Sequence, residues 1–264
     1  MTKSILSLLV LAGLLHTASA AESFHWPGGA KAAVSLAYDD AAPSQLDHAL
    51  PTLNKYGLRG TFYLTLSSPT VDKRLAEWRA AAAQGHELAN HSLFHQCRRS
   101  QPEREWVEPH RNLDTTTAAQ MRDQVALANT MLYAIDGRRE RTFTAPCGDL
   151  LAAGVNYLPA LHGDFVAIKA SVADGPVQAM DALDPYRVPV FSPVNQTGAQ
   201  LIALVKQAGE RGTMIAFTFH GIGGDYLTNS SAAHEELVRY LAEHRDEYWI
   251  DTFLNIMRHV KANR

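Results

Sequence analysis

The sequence predicts an α/β fold, a distorted (β/α) barrel of about seven strand–helix units. Three observations carry that expectation. Short apolar, β-prone runs alternate in regular order with stretches of helical period. Such alternation calls for parallel strands joined by crossover helices. Asp39-Asp40, His91, Pro146 and His220 each follow a predicted strand end, the rim where barrels collect their chemistry.

The elements follow in order. Residues 31–38 form an apolar strand. Residues 45–56 place Leu46, Ala49, Leu50 and Leu53 at helical spacing, and Gly57 stops the helix. Residues 60–65 are the next strand. A helix over 71–84 ends at Gly85, and a short strand over 86–90 delivers His91. The long amphipathic pattern of 117–135 stops at Asp136-Gly137. Strands follow at 141–145, 165–170, 187–191 and 214–219, with helices at 199–209 and 232–244. The segment 249–253 leads into a last helix, 254–261.

The first twenty residues read as a signal peptide, with Lys3 as the charged region, Ile5 to Leu15 as the apolar core and Ala18-Ser19-Ala20 as the cleavage site. The apolar run is short for a spanning helix, so a membrane anchor is the weaker alternative. No Cys stands directly after it, which argues against a lipid anchor. The expectation is an exported, periplasmic or extracellular chain with residues 21–264 as one catalytic domain. The formal charge is −3, with both signs mixed along the chain. That argues against nucleic acid and suits a neutral substrate. No protein partner is indicated.

Cys97 and Cys147 are the only cysteines. In an oxidising compartment two cysteines suit one disulfide, provided the segments around His95 and Pro146 converge. Two separate buried thiols remain the alternative. Glycosylation sequons begin at Asn90, Asn195 and Asn229.

Candidate chemistry starts with His91 and His95, one helical turn apart in sequence, a spacing that lets two imidazoles hold one cation. One carboxylate of Asp39-Asp40 can complete the grip while the other handles a proton. Alone, that pair is as readily a solvated turn or a helix cap. Tyr38 before it reads mainly as core packing, and is carried beside Trp106 as a substrate-binding candidate. His86 lies within its strand and points elsewhere. His220, at the exit of an apolar run and before a glycine-rich turn, suits a general acid or base; a histidine bonded to a loop carbonyl is the plainer alternative. In Thr144-Ala-Pro-Cys-Gly-Asp149, Pro146 fixes the turn and lets the Cys147 N–H face outward as an oxyanion donor. The long polar stretch 96–114 carries Trp106, either stacking on a sugar or anchoring the loop.

In this order the pieces resemble the polysaccharide deacetylases, carbohydrate esterase family four with the NodB homology domain, as a divergent member. Ala37-Tyr38-Asp39-Asp40 matches the aspartate motif, and His91-Ser92-Leu93-Phe94-His95 matches the histidine motif in full. Thr144-Ala145-Pro146-Cys147 and Thr218-Phe219-His220 match the later motifs in part. The resemblance implies a divalent transition metal, zinc first, on Asp40, His91 and His95. It implies Asp39 as base, His220 as acid and the Cys147 N–H at the oxyanion. The implied substrate is an acetylated oligo- or polysaccharide, N-acetylated or O-acetylated. Thr144 stands where the family places an arginine that orients the base, and Arg187 or Lys169 is the candidate replacement. A disulfide from Cys147 to Cys97 would tie the oxyanion turn to the ligand segment. Two other functions stay open: carbohydrate binding on a catalytically weakened fold, and deacylation of small molecules.

Overall fold

The computed structural model describes residues 24–264, so the signal peptide expected at residues 1–20 lies outside the described residues. Every strand pairing in the main sheet is parallel. β1 (Ala32–Asp39) pairs with β2 (Thr61–Leu64), which pairs with β3 (Glu87–Asn90). β4 (Thr142–Thr144) follows, and a small antiparallel hairpin of β5 (Leu151–Ala152) and β6 (Val155–Asn156) stands apart. The sheet continues through β7 (Ala167–Val172) and β8 (Val188–Val190). β9 (Met214–Phe219) returns to β1 over six register pairs. The gap between β8 and β9 is bridged by Phe191, whose N–H donates to Ala216 O (2.9 Å) and whose carbonyl accepts from Thr218 N (2.8 Å). The ring is therefore a distorted barrel. β10 (Tyr248–Ile250) adds beside the first residues of β1. β10 and the hairpin are too short for a periodicity signal.

Helices α1 (Leu50–Lys55), α2 (Pro69–Lys73), α3 (Leu75–Ala83), α4 (Ala118–Asp136), α5 (Gly198–Arg211) and α6 (Ser231–Glu243) carry the connections. Capping chemistry sets the long ones. Thr117 with Gln120, and Thr197 with Gln200, form reciprocal capping boxes on α4 and α5. Gly137 and Gly212 close those helices in the left-handed region. Two expected helices differ in detail. Residues 45–49 form a wide π turn ahead of α1, because Pro51 follows and cannot supply an N–H to an ordinary first ladder. The helix expected over 71–84 starts at Pro69 and breaks at Arg74, whose guanidinium bridges Asp47 and Glu77.

All eight residues of β1 are buried, as a strand covered on both faces requires. Val34, Leu36 and Tyr38 face the outer layer with residues of α1, α3, α5 and α6. Ala33 and Ala37 face the barrel interior with Ala89, Ala167 and Ala216. Small side chains there leave room for long polar ones. Glu87 is buried and accepts from Thr61 Oγ1 (2.9 Å), Thr142 Oγ1 (2.6 Å) and Leu254 N (3.0 Å). It thereby docks the start of α7 (Phe253–Ala262), which packs Phe253, Ile256 and Met257 into the interior cluster. No helix among the described residues is long and apolar enough to cross a membrane.

Candidate active site

The C-terminal rim holds the predicted residues. Asp39 is the last residue of β1 and continues its alternation, so its carboxylate enters the barrel and is almost wholly buried. Asp40 leaves the strand at φ 82 and Ala41 follows at φ 56. A non-glycine pair in the left-handed region is strained, and such strain is kept where a side chain must be re-aimed. The turn swings the Asp40 carboxylate toward the end of β3.

There Asp40 Oδ1 lies 3.0 Å from His91 Nε2 and 3.0 Å from His95 Nε2. The two histidines do not sit on a helix. The segment after β3 is a loop with Ser92 at φ 65 and His95 at φ 51. Asn90 Oδ1 accepts from Ser92 N, and Ser92 Oγ accepts from His95 N, so the turn is built by local side-chain bonds. His91 Nδ1 donates to Thr144 O at 2.9 Å, which fixes the ring with Nε2 aimed at Asp40.

These atoms fit a divalent cation. The three ligand atoms lie within 4.8 Å of one another, and the buried Asp40 Oδ1 has no hydrogen-bond donor. Two imidazole nitrogens and a carboxylate oxygen are a zinc-type donor set. Burial opposes the Asp40 charge, but the neighbouring His95 and His91 outweigh it and hold the carboxyl well below its ordinary range. Burial also works against a charged His91, while Asp40 and Asp39 pull the other way and raise it. A second grouping, His95 with Cys97 and Cys147, offers no thiolates, because the cysteines are joined.

Asp39 has a different partner. Lys169 Nζ donates to Asp39 Oδ1 at 2.8 Å and to Thr218 Oγ1 at 3.0 Å, and sits 3.9 Å from the Tyr63 ring centroid. Lys169 is the register partner of Thr144 across β4 and β7. The cation thus enters from the neighbouring strand, opposite the position where Thr144 stands. Burial lowers the Lys169 pKa against the pull of Asp39. Arg187 is exposed and takes no part.

Cys97 and Cys147 form a disulfide. It ties the turn after β4 to the ligand segment, with Cys147 at φ 58. The long loop grips the same turn again. Arg98 N and the Arg104 guanidinium both meet Asp149 Oδ2, and Arg104 Nη2 donates to Cys147 O at 3.2 Å. Val107 and Leu113 are the loop's buried anchors, whereas Trp106 is 59% exposed beside the site.

His220 follows β9, with Nε2 3.8 Å from Asp40 Oδ2 and a buried Nδ1 that has no partner. Burial lowers its pKa, against the charges of Asp39 and Asp40. Gln45 Nε2 donates to the carbonyls of both Asp39 and His220, fixing one strand end against the other. A cavity of about 710 Å³ opens over this cluster, lined also by Cys147, Trp106 and Tyr226.

Some expectations change. Tyr38, a substrate-binding candidate, is fully buried: as the outward neighbour of Asp39 it stacks between Phe62 and Phe219, and its hydroxyl meets His234 Nε2 at 2.7 Å. His86, as expected, points elsewhere and bonds Gly60 N and Asn54. Asn90 and Asn229 are buried, so those sequons are inaccessible, while Asn195 is exposed. Sequence reasoning missed Tyr226, whose hydroxyl donates to Asp40 Oδ2 at 2.9 Å. Its only signal was the glycine-rich stretch after His220, which lets the chain fold back over the rim.

The family model for polysaccharide deacetylase matches residues 27–162, just over half of the chain. A search of curated proteins finds no match. Among solved structures, a Mycobacterium smegmatis protein assigned to the polysaccharide deacetylases is 18% identical, with TM-score 0.66 over 92% of this chain and 95% of that one. The Xyl-CE4 domain of a multidomain xylanase from the hindgut metagenome of Trinervitermes trinervoides is 16% identical, with TM-score 0.55 over 88% and 92%. A CE4 family pseudoenzyme from Bacillus anthracis is 15% identical, with TM-score 0.52 over 85% and 65%. At these identities the structures share the fold. With the family match they lead to one conclusion: the chain belongs to the polysaccharide deacetylase family.

Proposed function

We propose that this protein is an exported, metal-dependent hydrolase that removes acetyl groups from a carbohydrate. The observation that carries the reading is the division of labour at the rim. Asp40 faces the Nε2 atoms of His91 and His95, and Asp39 beside it is held apart by Lys169.

Asp40, His91 and His95 would hold the metal, zinc first, which when bound would polarise the acyl carbonyl and lower the pKa of a water. Asp39 takes that water's proton as the nucleophile forms. Lys169 fixes the Asp39 Oδ1, so the other oxygen is presented to the cavity. His220 gives its proton to the leaving nitrogen or oxygen. The Cys147 N–H is assigned to the oxyanion, and the disulfide with the Arg104 clamp holds that turn still. The disulfide supports an oxidising compartment, in keeping with the signal peptide read at residues 1–20.

A second reading is carbohydrate binding on a weakened fold, favoured by Thr144 at the family's arginine position. Lys169 argues against it by restoring a cation to the base. Acetate release from acetylated xylan, chitooligosaccharides and peptidoglycan, measured beside bound metal, separates the two. Bound zinc with no acetate from any of the three would favour the binding reading.

A further inference from the structure

The rim of the cavity is apolar in a way that the chemistry of acetyl removal does not require. Eight large hydrophobic side chains are exposed among the described residues, and four of them line this one cavity: Trp106, Val172, Tyr226 and Leu227. They come from three separate segments, namely the loop before α4, the end of β7 and the loop after β9. Scattered exposed hydrophobics need no explanation, but a cluster around a reactive centre does. Ala170 and Val190 extend the same wall.

The rim is also held in place. Leu227 sits at φ 46 and Asp225 at φ 61. Their loop is fastened by Ser44 N donating to Asp225 Oδ2 (2.8 Å) and by Tyr226 O accepting from Gly221 N (3.1 Å). The Tyr226 hydroxyl is spent on Asp40, so its ring offers the cavity chiefly an apolar surface. A branched side chain kept exposed in a strained backbone region points to a contact made in use.

Charge narrows the occupant further. The cavity's two long cations are both engaged, Lys169 by Asp39 and Thr218, and Arg104 by Asp149 and the Cys147 carbonyl. No lysine or arginine lining it is left to meet an anionic group. Sugar hydroxyls pressed on such walls would lose water without gaining partners, which is costly. An alkyl or aryl group gains instead, roughly fourfold in affinity for each methylene fully buried.

We infer that the substrate is a neutral acetylated glycoside carrying an alkyl or aryl group, which packs on Val172, Leu227 and Trp106 while the acetyl group enters the cluster below. This rests on the deacetylase reading and narrows its substrate class. The test compares acetylated methyl, hexyl and uronic-acid methyl glycosides of one sugar. The expected result is kcat/KM at least tenfold higher for hexyl than for methyl, and at least tenfold lower for the uronate. Val172→Ser and Leu227→Ser bring the hexyl-to-methyl ratio toward one. Equal rates for hexyl and methyl in the parent protein overturn the inference. Binding is read separately by fluorescence on titration with the deacetylated hexyl and methyl glycosides, with Trp106→Phe assigning the signal. If no compound releases acetate but the hexyl glycoside alone saturates the Trp106 signal, the deacetylase reading falls and the inference stands only as the apolar-aglycone preference of a binding site. No difference in binding, with no acetate, overturns the inference as well.

Discussion

Asp39 and Asp40 are adjacent in sequence and opposite in surroundings. Asp39 stays in strand geometry, points into the barrel and meets a buried ammonium. Asp40 leaves the strand through the left-handed region and meets two imidazoles. One peptide unit thus separates a carboxylate paired with an ammonium from one faced by two imidazoles, and in the proposed reading the first exchanges a proton while the second holds a cation. The difference shows how two identical side chains acquire distinct chemistry: the pleat aims one, and a strained turn aims the other. The positive charge beside Asp39 comes from Lys169, the register partner of Thr144 across one strand pair.

The sharpest way to break the comparison is to neutralise each carboxylate in turn. Asp39→Asn should keep stoichiometric metal and lose about a thousandfold or more in kcat. Asp40→Asn should lose metal and activity together. Metal analysis beside acetate release checks both, and metal loss from Asp39→Asn would mean the two roles are exchanged.

His220 comes next. His220→Ala should keep metal and most substrate affinity while kcat falls roughly a hundredfold. The parent profile should be bell-shaped, with Asp39 ionised and His220 protonated at the optimum. Burial holds the folded His220 below its ordinary value of 6.5, so it loses its proton early and the basic limb lies on the acid side of 6.5. The same shift makes the unfolded chain the better proton acceptor, so this residue's contribution to stability declines as pH falls through 6.5. A pH series on parent and variant should show the basic limb in the parent alone.

The two sides of the comparison were not equally legible in the sequence. Asp40, His91, His95 and His220 all follow strand ends, and strand ends are visible as breaks in apolar runs, so both the barrel and the cation site could be read. Their local geometry could not. The spacing of His91 and His95 looks helical, but an Asn90 turn and two left-handed residues deliver it instead. Lys169 was only one of two candidates, because a lysine inside a short β run gives no sign of facing inward until its neighbours Ala167, Ala89 and Ala37 are seen to leave space. Tyr226 and Glu87 were invisible for the same reason: each acts through a partner far away in sequence. Tyr38 shows the converse, since motif adjacency suggested the cavity while strand alternation sent it to the outer layer.

Lys169→Met sharpens the contrast at the base. The variant keeps the bulk of the side chain and removes the charge, leaving Asp39 buried without its partner. Losing one member of a buried pair costs about 3 kcal/mol or more of stability, so unfolding by urea should shift clearly. Metal content should not change, because Lys169 bonds no ligand. kcat should fall roughly thirtyfold, and the acid limb of the rate profile should move to higher pH as the base becomes harder to ionise. Lys169→Arg should recover part of the rate. A uniform loss with an unmoved acid limb would reduce Lys169 to a packing residue.

Removing the disulfide tests whether the two sides need to be tied together. Cys97 and Cys147 are 50 residues apart, and closing a loop of that length stabilises by about 4 kcal/mol in the chain-entropy account. Replacing both by serine should therefore lower the melting temperature substantially. The effect on turnover should be the smallest of the set, roughly fivefold in kcat, because Asp149 still holds the loop through Arg98 N and Arg104. Adding Arg104→Ala to the serine pair should then cost more than the two changes made separately, since each alone leaves two ties between the turn and the loop and the combination leaves only Arg98 N. Acetate release from the parent and the three variants checks this. Strict additivity would mean that the turn keeps its position without either tie, and that the cation side and the oxyanion side are independent parts.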